Sequence, residues 1–166
     1  LTRPARHQDV LWTTADGKAV YFAGAGFRKD GQRPFLDRVD LATGKATRAY
    51  ESDADHLEPA LVLLDADGRH FITSRESSRE PRNYWLRRSG GKPGTRLTDF
   101  KDPSPAMTAP QRIQFKFTRP DSVQLNAEAV LPADWKPGTA LPTIIRIYPN
   151  DYRSAAAASQ HRRSPN

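Results

Sequence analysis

Hydrophobic and polar positions along this chain alternate over short stretches and rarely recur at helical spacing, so the pattern up to residue 150 predicts β-strands punctuated by tight turns. Ala15-Asp16-Gly17-Lys18 reads as a turn leading into a strand at Ala19–Ala23, and Ala66-Asp67-Gly68-Arg69 as a turn leading into His70–Ser74. A second strand follows each, Phe35–Leu41 and Asn83–Arg87, closed by Ala42-Thr43-Gly44-Lys45 and Ser89-Gly90-Gly91-Lys92. Short runs at Ala46–Tyr50 and Thr95–Thr98 end the two units. The order of strand, turn and strand therefore occurs twice, at a period near 50 residues (order of magnitude for such repeats). Leu57–Leu64 contains the continuous apolar run Leu61-Val62-Leu63-Leu64, which predicts a strand covered on both faces.

Beyond Asp102 the composition shifts. Pro103, Pro105 and Pro110, with small residues between them, remove backbone donors and fix φ, so residues 103–111 read as a linker. After it the alternation Ile113, Phe115, Phe117 gives a half-buried strand within Arg112–Arg119. A Pro-Asp-Ser turn at Pro120–Ser122 joins it to Val123–Leu131, and a polar loop with Lys136-Pro137-Gly138 leads to a further strand over Leu141–Tyr148, whose Ile144, Ile145 and Ile147 are expected to be deeply buried. Ser154–Gln160, with its four alanines, reads as a short helix or a flexible loop.

Composition narrows the functional classes. The 166 residues are 37% hydrophobic and 27% charged, enough for one modest domain or pieces of two. Cysteine is absent, which removes disulfides and thiolate metal sites. No window approaches the roughly 20 apolar residues of a membrane span, and the start at Leu1 has no signal-peptide pattern and reads as processed or cut. The net charge of +7 is interspersed with acid: +4 over residues 1–50, −5 over 51–74, +5 over 75–101 and +3 over 102–166. A nucleic-acid binder concentrates its cations on one stripe. The best such run, Arg75–Lys101 beside Tyr84 and Trp85, reads as solvated strand, so no nucleic-acid partner and no membrane partner are expected.

Candidate chemistry is sparse. His7, His56, His70 and His161 are far apart and none forms an i, i+4 pair, so no metal is expected. Glu51, Asp53, Asp55 and Glu58 around His56 could hold calcium weakly but read better as a solvated loop. Gly24-Ala25-Gly26 lacks the helix and Gly-Lys-Ser/Thr of a phosphate loop and reads as a bend or bulge. Ser154 and Ser159 lack the glycine neighbours of a nucleophile elbow. No cofactor is expected.

The doubled turn signatures, followed by LTDFKDPSP (Leu97–Pro105) and LPADWKPGTALPTIIRIYP (Leu131–Pro149), resemble the junction between β-propeller and α/β-hydrolase domain in the prolyl oligopeptidase family of serine peptidases. YPNDY (Tyr148–Tyr152) and SPN (Ser164–Asn166) are most similar to its bacterial glutamyl-endopeptidase-like branch. The resemblance implies a mainly β fold: a partial propeller of about two blades over 1–102, the linker 103–111, and the N-terminal strands of a truncated α/β-hydrolase domain over 112–166. It implies a fragment of an enzyme that hydrolyses short or unfolded peptides by acyl transfer, with a preference for acidic residues coming from the branch alone. The Ser-His-Asp triad would lie outside this chain, in its missing remainder, so the fragment is expected to be inactive alone.

The one site residue the resemblance carries over is Tyr148. Its position matches a tyrosine that offers its hydroxyl to the oxyanion in several members; an aromatic cap on the strand is the alternative. Departures from the family pattern are Pro149-Asn150 where relatives have Gly-Gly, Arg146 where they have an apolar residue, and Asp121-Ser122 without the common glycine. Arg146 would face a carboxylate such as Asp151 or sit at the sheet edge. The competing class is a non-catalytic β-propeller binding module. Compartment stays open between periplasmic or secreted and cytoplasmic in a bacterial setting.

Overall fold

Two turns built alike organise the first part of the computed structural model, which describes residues 12–28, 31–90 and 93–147. In the first, Asp16 Oδ1 accepts from Thr14 Oγ1 at 2.6 Å and from the Lys18 N–H at 3.1 Å, while Gly17 takes φ +70°. In the second, Asp65 accepts the N–H groups of Arg69 (2.8 Å) and His70 (2.9 Å), and Gly68 takes φ +59°. Aspartate satisfies the turn's free donors and glycine supplies the left-handed residue that a Cβ penalises. A strand starts immediately after each.

The first turn leads into β1 (Ala19–Gly24). After the two-residue strands β2 (Phe27–Arg28) and β3 (Gly31–Gln32), which pair only with each other, come β4 (Phe35–Asp40) and β5 (Ala46–Glu51). These form an antiparallel sheet in the order β1-β4-β5, and Thr13 bridges to Val20 on the outer side of β1. Strand β4 stops at Asp40 rather than Leu41, because the Asp40 carboxylate accepts the N–H groups of Ala42 (3.1 Å) and Thr43 (2.9 Å) and so starts the turn.

The second sheet repeats the plan. β6 (Ala60–Leu63), β7 (His70–Arg75), β8 (Asn83–Arg88) and β9 (Thr95–Arg96) pair in sequence order, all antiparallel, and Leu57 bridges to Glu76. The expectation for β6 fails in part. Leu63 is buried, but Leu61 and Leu64 are 52% and 53% exposed, so this strand is covered on one face among the described residues. Leu61 and Leu63 would share a face in a regular strand, but the register shifts between Ala60 and Val62 and leaves Leu61 outside the ladder, open to solvent.

The sheets pack face to face through Tyr21, Leu36, Leu63 and Phe71, with Tyr50, Trp12, Ala49 and Ala60 around them. Tyr50 meets Phe71 edge-on at 5.3 Å between ring centroids. Tyr21 sends its hydroxyl to the Asp67 carbonyl, and Ala15 N–H reaches Asp67 Oδ1 at 3.1 Å, so the second turn is bound to the first sheet.

At the step from Asp102 to Pro103 the chain passes into a second compact unit. The expected linker is partly ordered: Pro105–Thr108 makes one helical turn (α1), with proline in its first turn where its missing N–H costs nothing, and Gln111 already belongs to a strand. β10 (Gln111–Thr118) and β11 (Gln124–Leu131) form an antiparallel hairpin from Gln111↔Leu131 to Thr118↔Gln124. Ile113, Phe115 and Phe117 oppose Ala129, Ala127 and Leu125 on one face. The turn is closed by Ser122 N–H to Arg119 O (2.9 Å) and Arg119 N–H to Val123 O (2.9 Å), with Ser122 at φ +67°. Gln111 Nε2 donates to the carbonyls of Ala133 (2.9 Å) and Trp135 (3.0 Å), tying the following loop back to β10.

The strand predicted over Leu141–Tyr148 is absent from its described part, 141–147. Ile144, Ile145 and Ile147 are 97%, 80% and 88% exposed rather than buried. A strand needs a ladder partner for its N–H and C=O groups, and none of the described strands lies beside this run. The fold is mainly β, with no closed barrel and almost no helix among the described residues. No described helix is long and apolar enough to cross a membrane.

Candidate functional site: an arginine-lined cleft between two sheets

The face of the second sheet that meets the first is apolar at one end and charged at the other. Register explains this: Phe71 lies opposite Arg87 and Thr73 opposite Trp85, and cross-strand partners share a face. Phe71, Thr73 and Arg75 on β7, with Trp85 and Arg87 on β8, therefore all point toward the first sheet. Phe71 joins the core. Arg75 and Arg87, with Arg88 beside them, line a cleft of about 410 Å³ that β5 completes with Arg48, Tyr50 and Glu51, and the loop after β5 with Asp53 and Glu58.

Glu58 lies at the base, 1% exposed. Arg87 grips its carboxylate with two parallel hydrogen bonds, Nε to Oε1 at 2.7 Å and Nη2 to Oε2 at 2.8 Å, and Thr73 Oγ1 donates to Oε1 at 2.6 Å. Burial alone would lower the pKa of Arg87, but the hydrogen bonds and charge of Glu58 outweigh it and raise it. Tyr50 donates its hydroxyl to the Glu58 carbonyl at 3.1 Å. Burial, and then the nearby Glu58 carboxylate, push the Tyr50 phenol strongly upward, so it stays neutral.

At the rim, Asp53 Oδ1 takes His56 Nδ1 at 2.8 Å together with the N–H groups of Asp55 and His56, both at 2.9 Å. Burial raises the Asp53 pKa, but these donors, His56 first, hold it below the ordinary value of 3.8. Arg75 places Nη2 3.0 Å from both ring nitrogens of His56 and 3.8 Å from Asp53 Oδ2. Arg75 and Arg87 both stand over the Trp85 ring, at 5.3 and 5.2 Å. Arg48 sits 4.1 Å over Phe35 and pairs with Asp37 (2.5 Å) and Glu51 (2.9 Å).

This arrangement presents guanidinium groups, a neutral phenol and carboxylates, which is binding chemistry. It does not assemble a nucleophile. Ser52 donates to the His56 carbonyl at 2.7 Å, not to the ring, so among the described residues the Asp53–His56 pair has no hydroxyl bonded to it.

Comparison with known proteins gives a consistent relationship. No protein-family model matches the chain. It is 32% identical over 162 residues to a probable chloroplastic glutamyl endopeptidase of Arabidopsis thaliana, and 32% identical over 158 residues to its namesake in Oryza sativa subsp. japonica. These alignments cover 91% and 89% of this chain but 17% of each relative, so the chain spans about a sixth of their length. In fold it resembles the apo AtxE2 isopeptidase (TM-score 0.52, 18% identity) and a variant of that enzyme with Astexin3-dC4 bound (TM-score 0.50, 19% identity). Each likeness covers 80% of this chain and 19% of the other.

Among the residues singled out by sequence, Tyr148 lies outside the described residues, as do Asp151, Ser154, Ser159, His7 and His161. The acidic group splits: Glu58 is bound by Arg87, Asp53 by His56, and Glu51 pairs with Arg28 and Arg48. Among the described residues no three His, Cys, Asp or Glu side chains gather as metal ligands. His70 pairs with Asp65 at 3.0 Å, far along β7 from His56. Four cations of the Arg75–Lys101 run are held in ion pairs: Arg82 with Glu76, Arg87 with the distant Glu58, and Arg96 and Lys101 with Asp99. Sequence reading missed Arg48, Tyr50 and the Arg75–Trp85–Arg87 cluster as a site. The signal available was alternation, since Thr73 and Arg75 continue the period that buries Phe71 and place polar groups on a core-facing side.

Proposed function

We propose that this chain is part of a serine peptidase of the prolyl oligopeptidase type, closest to the glutamyl-endopeptidase-like branch, in which a triad elsewhere in the polypeptide cuts peptide bonds by acyl transfer. The two sheets are read as adjacent propeller blades over 1–102, and the hairpin as the opening of an α/β-hydrolase domain. The observation that carries this reading is the 32% identity over about nine-tenths of the chain to two proteins named probable glutamyl endopeptidase, supported by the fold likeness to an isopeptidase.

In this reading the blades screen the site and admit only short or unfolded peptides. Tyr148 donates a hydrogen bond to the tetrahedral oxyanion, an interaction of the kind that contributes about 3 kcal/mol to a barrier. The residue preceding the scissile bond is acidic. The test uses a polypeptide extended to the length of the relatives, treated with a fluorophosphonate probe and with chromogenic peptides carrying Glu or Gln before the reporter group. Covalent labelling of one serine together with faster release from the Glu peptide is expected. Absence of both labelling and cleavage overturns the proposal.

A further inference from the structure

We propose that the cleft between the two sheets binds a side-chain carboxylate of an acidic peptide, with Arg75 as its cationic ligand. The proposal rests on the peptidase reading only for the origin of the ligand; the binding itself is a property of this chain.

The guanidinium groups of the cleft differ in how much hydrogen-bonding capacity they have left. Arginine carries five N–H donors in a fixed fork that suits carboxylates. Arg87 is committed at both ends of the fork to Glu58. Arg48 already holds Asp37 and Glu51. Arg75 differs. Its hydrogen-bond contact is with the His56 ring, and the nearest carboxylate, Asp53, lies at 3.8 Å, beyond hydrogen-bond reach. Its Nε is buried without a hydrogen-bond partner, so the donors left to meet a ligand in the cleft are those of the terminal nitrogens.

Such a cation is also preorganised. Trp85 supports the guanidinium from one side at 5.3 Å and His56 fixes Nη2, so a bound anion does not have to restrain a free side chain. The cleft carries four arginines against three carboxylates, and its 410 Å³ falls within the range of small-ligand sites. Asp53, half exposed beside Arg75, is the competing internal anion.

Calorimetric titration of the whole 166-residue chain tests this with three N-acetylated pentapeptides: Ala-Ala-Glu-Ala-Ala amide, its Gln counterpart, and penta-alanine with a free C-terminus. The Glu peptide is expected to bind about tenfold tighter than the Gln peptide, the difference a charge-assisted pair makes. Arg75→Gln is expected to abolish that ratio. Asp53→Asn keeps the turn's acceptor but removes the competing charge, and is expected to tighten Glu-peptide binding about threefold, a gain that misfolding would not produce. Equal binding of Glu and Gln peptides, an unchanged ratio in Arg75→Gln, or equally tight binding of the free-terminus peptide overturns the proposal. Serine labelling in the longer polypeptide is independent of all three peptides, so either reading can fail while the other stands.

Discussion

Arg87 and Glu58 are 29 residues apart in sequence and meet in a two-pronged ion pair beneath the cleft, where Glu58 is 1% exposed. Two charges taken from water are tolerable only while each has the other. Arg87→Met leaves the Glu58 carboxylate buried with Thr73 as its side-chain donor, and is expected to cost about 3–5 kcal/mol in urea denaturation. The double change Glu58→Leu with Arg87→Met is expected to recover most of that loss. Equal destabilisation by single and double variants would contradict this account.

Gly68 and Gly17 occupy equivalent turns but differ in surroundings. A Cβ on Gly68 would lie 2.3 Å from the Tyr21 ring, which is 97% buried by its neighbours and anchored to Asp67, whereas one on Gly17 meets nothing within 4 Å. Gly68→Ala is expected to destabilise by about 2–4 kcal/mol through strain and overpacking. Gly17→Ala carries backbone strain alone, about 1 kcal/mol. Thermal unfolding of both variants reads the difference.

Ser122 is the non-glycine residue with positive φ among those described, at +67°. Ser122→Gly relieves the left-handed strain while loosening the unfolded chain, and a net gain of about 0.5–1 kcal/mol is expected. Slower hydrogen exchange at the β10–β11 amides would register it.

Tyr50 links stability to alkaline pH. Its folded pKa is raised above the ordinary value of 10.0, by burial first and then by Glu58, so its contribution is fully present below pH 10 and is lost as pH rises from there toward the folded value. Stability is expected to fall above pH 10 by up to about 1.4 kcal/mol per pH unit for this one group. Tyr50→Phe is expected to flatten that slope, and denaturation midpoints between pH 8 and 11 check it. Tyr21, also raised by burial, maintains a residual slope in the variant.

The parts of the fold that were legible in the sequence are those fixed by local chemistry. Asp16-Gly17, Asp67-Gly68 and Asp40 to Gly44 set turns whose strands begin or end within a residue or two of the predicted positions. What sequence could not supply depends on partners distant along the chain. The leucines of β6 read as doubly covered because composition does not say which faces are met. Ile144, Ile145 and Ile147 read as buried because their β-branched character signals a strand but not the neighbour it needs. The Glu58–Arg87 pair was hidden for the same reason: Glu58 belonged to an acidic loop and Arg87 to a basic run, and only the pairing of Phe71 with Arg87 brings them together.

The hydroxyl of Tyr21 and the carbonyl of Asp67 meet across 46 residues of chain, whereas every rung of the β10–β11 hairpin joins near neighbours in sequence. The hairpin can therefore zip from its Pro120 turn on the microsecond scale typical of such motifs, about 1–10 μs. The hairpins β4–β5 and β7–β8 are equally local, but docking one sheet on the other must gather a long loop, an entropic delay the hairpins do not face. During refolding the core shared by the two sheets is thus expected to be complete only after the separate hairpins have formed.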